Sequence, residues 1–115
     1  MQIEVLKSKI HNATVTEANV HYLGSVGIDE DLMKAANMIE FEKVHVLNVD
    51  NGERVVTYII KAPAGSGAIT LNGAAARRFY PGDKVIILTF ARMDMEKAKN
   101  YKPIVVFPGK DNKIK

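Results

Sequence analysis

The chain has 115 residues, 47% apolar and 25% charged, with a formal net charge of +3 and a pI of about 9.2. That length suits one domain burying roughly two-thirds of its unfolded surface, enough for a real core that oligomerisation would help. The absence of cysteine excludes disulfides, thiolate nucleophiles and zinc–sulfur sites, and the three histidines show no metal-site spacing.

Short β-rich runs punctuated by turns dominate the chain. Ile3 to Lys9 and Ala13 to Thr16 predict the first two strands. Lys9 and His11 lie two residues apart, so on a regular strand they project from one face. Lys9 reads either as a solvated lysine or as a holder of a carboxylate. His11 reads either as a structural residue or as a group that moves protons near neutral pH. His21 and His45 have no neighbouring ligand pattern and read as structural or surface residues.

Tyr22-Leu23-Gly24-Ser25-Val26-Gly27-Ile28-Asp29 follows. Gly-Ser is a common loop dipeptide and on its own reads as a turn. Glycine also tolerates unusual backbone angles, so the next amide can be held under strain. The Ser25 hydroxyl would then stand ready to attack the Gly24 carbonyl, given an oxyanion stabiliser and a proton acceptor nearby.

Asp29 is the expected N-cap of a helix running to about Asn37, with Leu32, Met33 and Ala36 on one face. Lys43 to Asn48 and Arg54 to Lys61 predict two strands joined by Asp50-Asn51-Gly52-Glu53, a hairpin signal because Asn-Gly readily takes positive φ. Arg54 and Tyr58 share a face of the second strand. A guanidinium there could clamp a carboxylate bidentately, and a phenol could deliver a proton; in isolation the two read as an ordinary cross-strand pair. Thr57 points to the opposite face unless a bulge re-aims it.

Ala64-Gly65-Ser66-Gly67 reads as a flexible loop, and Ala68 to Leu71 as a strand. Asn72-Gly73 opens a second short helix through Ala74-Ala75-Ala76-Arg77. That start is either a plain cap or a set of free N–H groups able to bind an anion or oxyanion. The three alanines leave room for the backbone to approach a ligand closely. Pro81-Gly82-Asp83 is a tight turn before the strand Lys84 to Arg92; Asp94 to Asn100 is weakly helical, and Ile104 to Phe107 is a last strand. The basic tail from Lys110 to Lys115 reads as a solvated terminus.

Many short strands with two small helices and no long linker predict a closed or nearly closed β-barrel. The longest apolar runs, Val85 to Leu88 and Ile104 to Phe107, are too short to span a bilayer. Met1-Gln2-Ile3-Glu4 carries no signal-peptide pattern, so a cytoplasmic protein without a membrane partner is expected. The pI raises a nucleic-acid partner, but the basic residues are interleaved with acids, as in Glu40-Phe41-Glu42-Lys43, and the eight aromatics form no stacking stripe. No nucleic acid is expected; an anionic small molecule suits the charge.

Lys9-x-His11, Tyr22-x-Gly24-Ser25, Ile28-Asp29, Asn51-Gly52, Arg54-x-x-Thr57-Tyr58, Asn72-Gly73-Ala74-Ala75-Ala76-Arg77 and Gly82-Asp83 together resemble the pyruvoyl-dependent aspartate 1-decarboxylase family. Each motif is modest; the ordered set is specific. It runs from Lys9 to Arg92 and weakly through Tyr101-Lys102-Pro103, and the tail after Phe107 fits least.

The resemblance implies a six-stranded double-psi β-barrel assembled as a homotetramer with active sites between subunits. It implies a self-cleaving zymogen cut between Gly24 and Ser25 into a β chain of residues 1–24 and an α chain of 25–115. An N-to-O acyl shift, β-elimination to a dehydroalanine and hydrolysis with release of ammonia would turn Ser25 into a pyruvoyl cofactor, with no metal and no pyridoxal phosphate. L-aspartate would form a Schiff base there, lose its α-carboxylate, take a proton from Tyr58 and leave as β-alanine, a precursor of pantothenate and coenzyme A. By the same resemblance Lys9 and Arg54 bind carboxylates, and Asn72, Gly73, Ala74 and Ala75 hold the pyruvoyl group and substrate. Thr57 assists processing and borders the substrate, His11 supports processing, and a maturation factor is a candidate partner. A self-cleaving hydrolase that keeps Ser25 as a free N-terminal nucleophile is the rival from another class.

Overall fold

A computed structural model describes residues 1–115. Its strands are β1 (Gln2–Thr14), β2 (Glu17–Asn19), β3 (Ser25–Asp29), β4 (Lys43–Asn48), β5 (Arg54–Ala62), β6 (Ile69–Asn72), β7 (Lys84–Asp94) and β8 (Ile104–Val106). Helix α1 (Glu30–Ala35) follows β3 and α2 (Met95–Ala98) follows β7; 3₁₀ turns cover Gly73–Arg78 and Lys110–Asn112. No helix is long and apolar enough to cross a membrane.

The strand order is β2-β6-β3-β5-β4-β7-β1-β8. Its middle is a row of six longer strands with β6 at one end and β1 at the other; β2 and β8 have three residues each. The row closes on itself. Just past β1, the Thr16 N–H donates to the Ile69 carbonyl at 2.8 Å, and the Ile69 N–H donates to Thr16 Oγ1 at 3.0 Å. The same stretch continues as β2, parallel to β6. Closure leaves the long strands without free edges. The mainly β class, the closed barrel and the small helices are thus as the sequence predicts, and the row of six is what the resemblance implies.

Eighteen buried apolar residues fill the barrel as one cluster. Val44 and Val46 of β4 point inward while His45 and Leu47 stay half-exposed, the period-two alternation of a one-sided strand. β1 is one strand where the sequence predicts two. Register shifts at Leu6/Ser8 and His11/Ala13 let it bend without breaking, and Asn12 takes a left-handed φ of 64° at the second.

Two local expectations are corrected, and a third gains an anchor. Ser25 is no turn residue: it opens β3, which lies between parallel β5 and antiparallel β6 with all five residues buried. The loop Gly65 to Gly67 is pinned rather than flexible, because its amides bond the Asp29 carboxylate. The basic tail is solvated at Lys110, Lys113 and Lys115, as expected, but is anchored at one residue. Asn112 is 3% exposed, donates to the Thr14 and Gly67 carbonyls at 2.7 and 2.8 Å, and accepts from the Thr14 N–H at 2.8 Å. Helix α1 begins at the expected cap, the Asp29 carboxylate accepting from the Asp31 N–H at 2.8 Å, and stops at Ala35, with Asn37 beyond it turned to φ 55°.

Candidate active site

The site is built where the start of β3 meets the end of β6. Ser25 and Asn72 face each other across the antiparallel pair, and the Asn72 Nδ2 donates to Ser25 Oγ at 3.0 Å. Both residues are buried, while Gly24, one residue earlier, is exposed. Of the two readings of Asn72, the side-chain cap is the one the structure corrects. Asn72 makes no side-chain cap bond to the turn that follows, because its amide is committed to Ser25. The second helix is a 3₁₀ turn, with Ala74 exposed and Ala75 half-buried at its open end.

Glycine is needed here at Gly73. Its φ is +70°, and a Cβ there would stand 2.7 Å from Gly24 Cα, 2.9 Å from Gly24 N and 3.1 Å from the Tyr22 carbonyl oxygen. Any other residue would push the 22–24 segment away. Gly24, expected to be the strained glycine, is not among the residues at positive φ, and a Cβ there would meet nothing within 4 Å. A polar cleft of about 310 Å³, lined in part by Tyr22, Gly27, Lys61, Thr70 and Asn72, opens beside this junction.

β5 supplies the next groups. Its register with β4 runs unbroken from Lys43↔Tyr58 to Leu47↔Arg54, so no bulge re-aims Thr57. Arg54, Val56 and Tyr58 occupy the exposed face and Thr57 the other, as their spacing predicts. Val26 of β3 pairs with Ile59, which puts Tyr58 on the strand neighbouring Ser25 and at its level. Arg54 Nη1 lies 3.3 Å from His45 Nδ1, giving His45 a partner the sequence did not suggest.

Lys9 and His11 share the outer face of β1, as expected, for Ser8 and Ile10 between and before them are buried. They do not meet Ser25 within this chain. Lys9, Leu88, His45 and Val56 form a row across β1, β7, β4 and β5, so Lys9 stands three strands from β5 around the barrel. Neither Lys9 nor Arg54 is paired with an acid. The His11 ring packs edge-on against Phe107 at 5.5 Å, and its Nδ1 is buried without a partner.

Asp29 anchors the far end of β3. Burial pushes its carboxyl up, but N–H groups of Gly67, Asp31 and Gly65 at 2.7, 2.8 and 3.0 Å, with the charge of Lys113, hold it below the ordinary 3.8. The strand that opens with Ser25 is therefore fixed at its end by an ionised, fully bonded group.

One residue gave no sequence signal beyond its charged neighbours. Phe41 lies with its ring 6.4 Å from that of Tyr58.

Known proteins match this sequence along all or nearly all of its length. The family model described as aspartate decarboxylase matches residues 1–115. The aspartate 1-decarboxylase of Flavobacterium psychrophilum is 59% identical over 116 residues, covering 100% of both chains. That of Phocaeicola vulgatus is 64% identical over 108 residues, covering 94% of this chain and 93% of its own. Among solved structures, the computationally designed msDPBB_sym2 protein aligns with a TM-score of 0.47 at 19% identity, covering 76% of this chain and 99% of its own. Full-length agreement at this identity, over a chain that buries Ser25 against Asn72, has one reading: the chain belongs to the aspartate decarboxylase family.

Proposed function

We propose that the protein is a self-processing lyase that removes the α-carboxylate of L-aspartate to give β-alanine and CO2, using a pyruvoyl group made from Ser25. The observation that carries this reading is the buried Ser25 Oγ, 3.0 Å from the Asn72 amide, on a chain whose preceding residue packs against Gly73.

These residues fit the group. Ser25 Oγ adds to the Gly24 carbonyl carbon, and the Gly24–Ser25 C–N bond breaks as the ester forms. The Asn72 N–H holds Oγ in place and stabilises negative charge on it as its proton leaves. Loss of the Ser25 α-proton then expels the Gly24 carboxylate as the new terminus of the 1–24 chain. Hydrolysis of the resulting enamine releases ammonia. The adjacent polar cleft gives water a route to that junction. Thr57 would assist this processing and border the substrate, with His11 in support.

Asn72 and the backbone of Gly73, Ala74 and Ala75 would hold the mature group. When formed, it supplies a ketone that takes up the substrate amine and draws off the electrons released with CO2. Lys9 and Arg54, both free of acidic partners, would hold the two carboxylates. Tyr58, at the level of Ser25 on the next strand, would return the proton to the reacting carbon.

The place of Lys9 three strands from β5 around the barrel supports a site completed by another copy of the chain, in a homotetramer with active sites between subunits. Tyr22, Leu23 and Val56, all more than half exposed, suit such contacts. The product would feed pantothenate and coenzyme A synthesis in the cytoplasm, with a maturation factor as a candidate partner of the uncut chain.

Purified protein incubated with L-aspartate is expected to release CO2 and β-alanine in equal amounts, and Ser25→Ala to release neither. Turnover by the Ser25→Ala variant, or none by a fully cleaved wild type, would overturn the reading.

A further inference from the structure

Phe41 adopts φ +71°. The other non-glycine residues in that region are Asn12, Asn37, Asp111 and Asn112, types that tolerate it, whereas a bulky side chain there is strained. The backbone around Phe41 is clamped from both sides. Its N–H donates to the Ile59 carbonyl at 2.8 Å, and the Ile59 N–H donates to the Glu42 carbonyl at 3.0 Å. The Glu42 carboxylate accepts from the Ile39 N–H at 3.0 Å and from Lys7 Nζ at 2.7 Å.

Core burial does not offset this strain, because Phe41 is 69% exposed. Its ring meets Tyr58 instead, with centroids 6.4 Å apart and planes inclined by 41°, within the range of attractive aromatic pairs. A strained, solvent-facing aromatic held over one particular phenol is the pattern expected of a functional constraint.

We propose that Phe41 is a positioning residue for the Tyr58 phenol, fixing its rotamer so that the hydroxyl is aimed at the reacting carbon. The inference rests on the reading of Tyr58 as proton donor. Lys7, Glu42 and the Ile59 peptide set the angle of the ring; Phe41 itself touches no substrate.

The test combines steady-state kinetics, thermal melting and native mass for Phe41→Asn, Phe41→Tyr and Tyr58→Phe, with turnover expressed per cleaved chain. Asparagine accepts positive φ, so Phe41→Asn should melt at or above the wild-type temperature and assemble normally. Its kcat should nevertheless fall roughly tenfold, with KM for aspartate within about twofold of wild type. Phe41→Tyr, which restores a ring, should recover kcat. Tyr58→Phe reads the parent claim separately and should lose on the order of 100-fold. Wild-type kcat in Phe41→Asn beside an inactive Tyr58→Phe overturns the role of Phe41 alone. Loss of melting temperature or assembly together with activity overturns it too, since the ring would then be merely structural. Full turnover in Tyr58→Phe removes the donor on which the inference stands.

Discussion

Asn72 offers its side-chain amide to Ser25 and keeps nothing for the turn behind it, so the two residues stand or fall together. Asn72→Ala should leave the fold intact and slow self-cleavage on the order of 100-fold, the usual loss when one oxyanion-type donor is removed. Following the uncut band over time on a denaturing gel checks it; cleavage at the wild-type rate would show that the hydrogen bond is incidental. The residue types here were legible: serine after glycine, asparagine before glycine, arginine and tyrosine four apart. Their partnerships were not. Asn72 reads equally as a cap until the sheet pairs it with Ser25, and Gly73 becomes the indispensable glycine only when Gly24 lies against it. Phe41 sits in a charged stretch, and nothing local announces its left-handed backbone or its tilted packing beside Tyr58.

At the scale of elements, β3 is the strand that matters and the one that local patterning hid. Ser-Val-Gly-Ile-Asp shows no alternation because both faces of the strand are covered, and alternation is the signature of a strand covered on one side only. Its end was plainer, since an aspartate before a helical run is a recognisable cap. The cap does more than its helix needs, accepting also from Gly65 and Gly67 and so tying the loop to β3. Because the Asp29 carboxyl is held below its ordinary 3.8, the ionised form favours the folded state. That stabilisation is present in full above about pH 4 and drains away as pH falls through the lowered value. Asp29→Asn should therefore cost about 2 kcal/mol near neutral pH and flatten the acid limb of the stability curve. Urea titrations at pH 7 and through the acid range measure both effects, and an unchanged acid limb would place the acid sensitivity elsewhere.

The whole molecule is a closed barrel whose tail is held at one point that its charge does not announce. Lysines at 110, 113 and 115 suggest solvent, yet Asn112 between them is drawn inside by the Thr14 and Gly67 backbone, three hydrogen bonds that no composition reveals. Closure itself was legible as a class, from many short strands and few helices, while the Thr16–Ile69 bonds that accomplish it join residues 53 positions apart. The barrel also disperses the residues of the proposed site: Ser25, Asn72 and Tyr58 lie together, and Lys9 stands three strands from β5. In the proposed function both a shared site and the cofactor would depend on one event, cleavage of the Gly24–Ser25 bond. Denaturing intact-mass measurement of the purified protein reads that event directly. Two chains are expected, residues 1–24 and 25–115, the larger lighter by one ammonia than a fragment starting with serine. A single uncut chain with no accessory factor required, or a cut chain retaining its serine, would contradict the account.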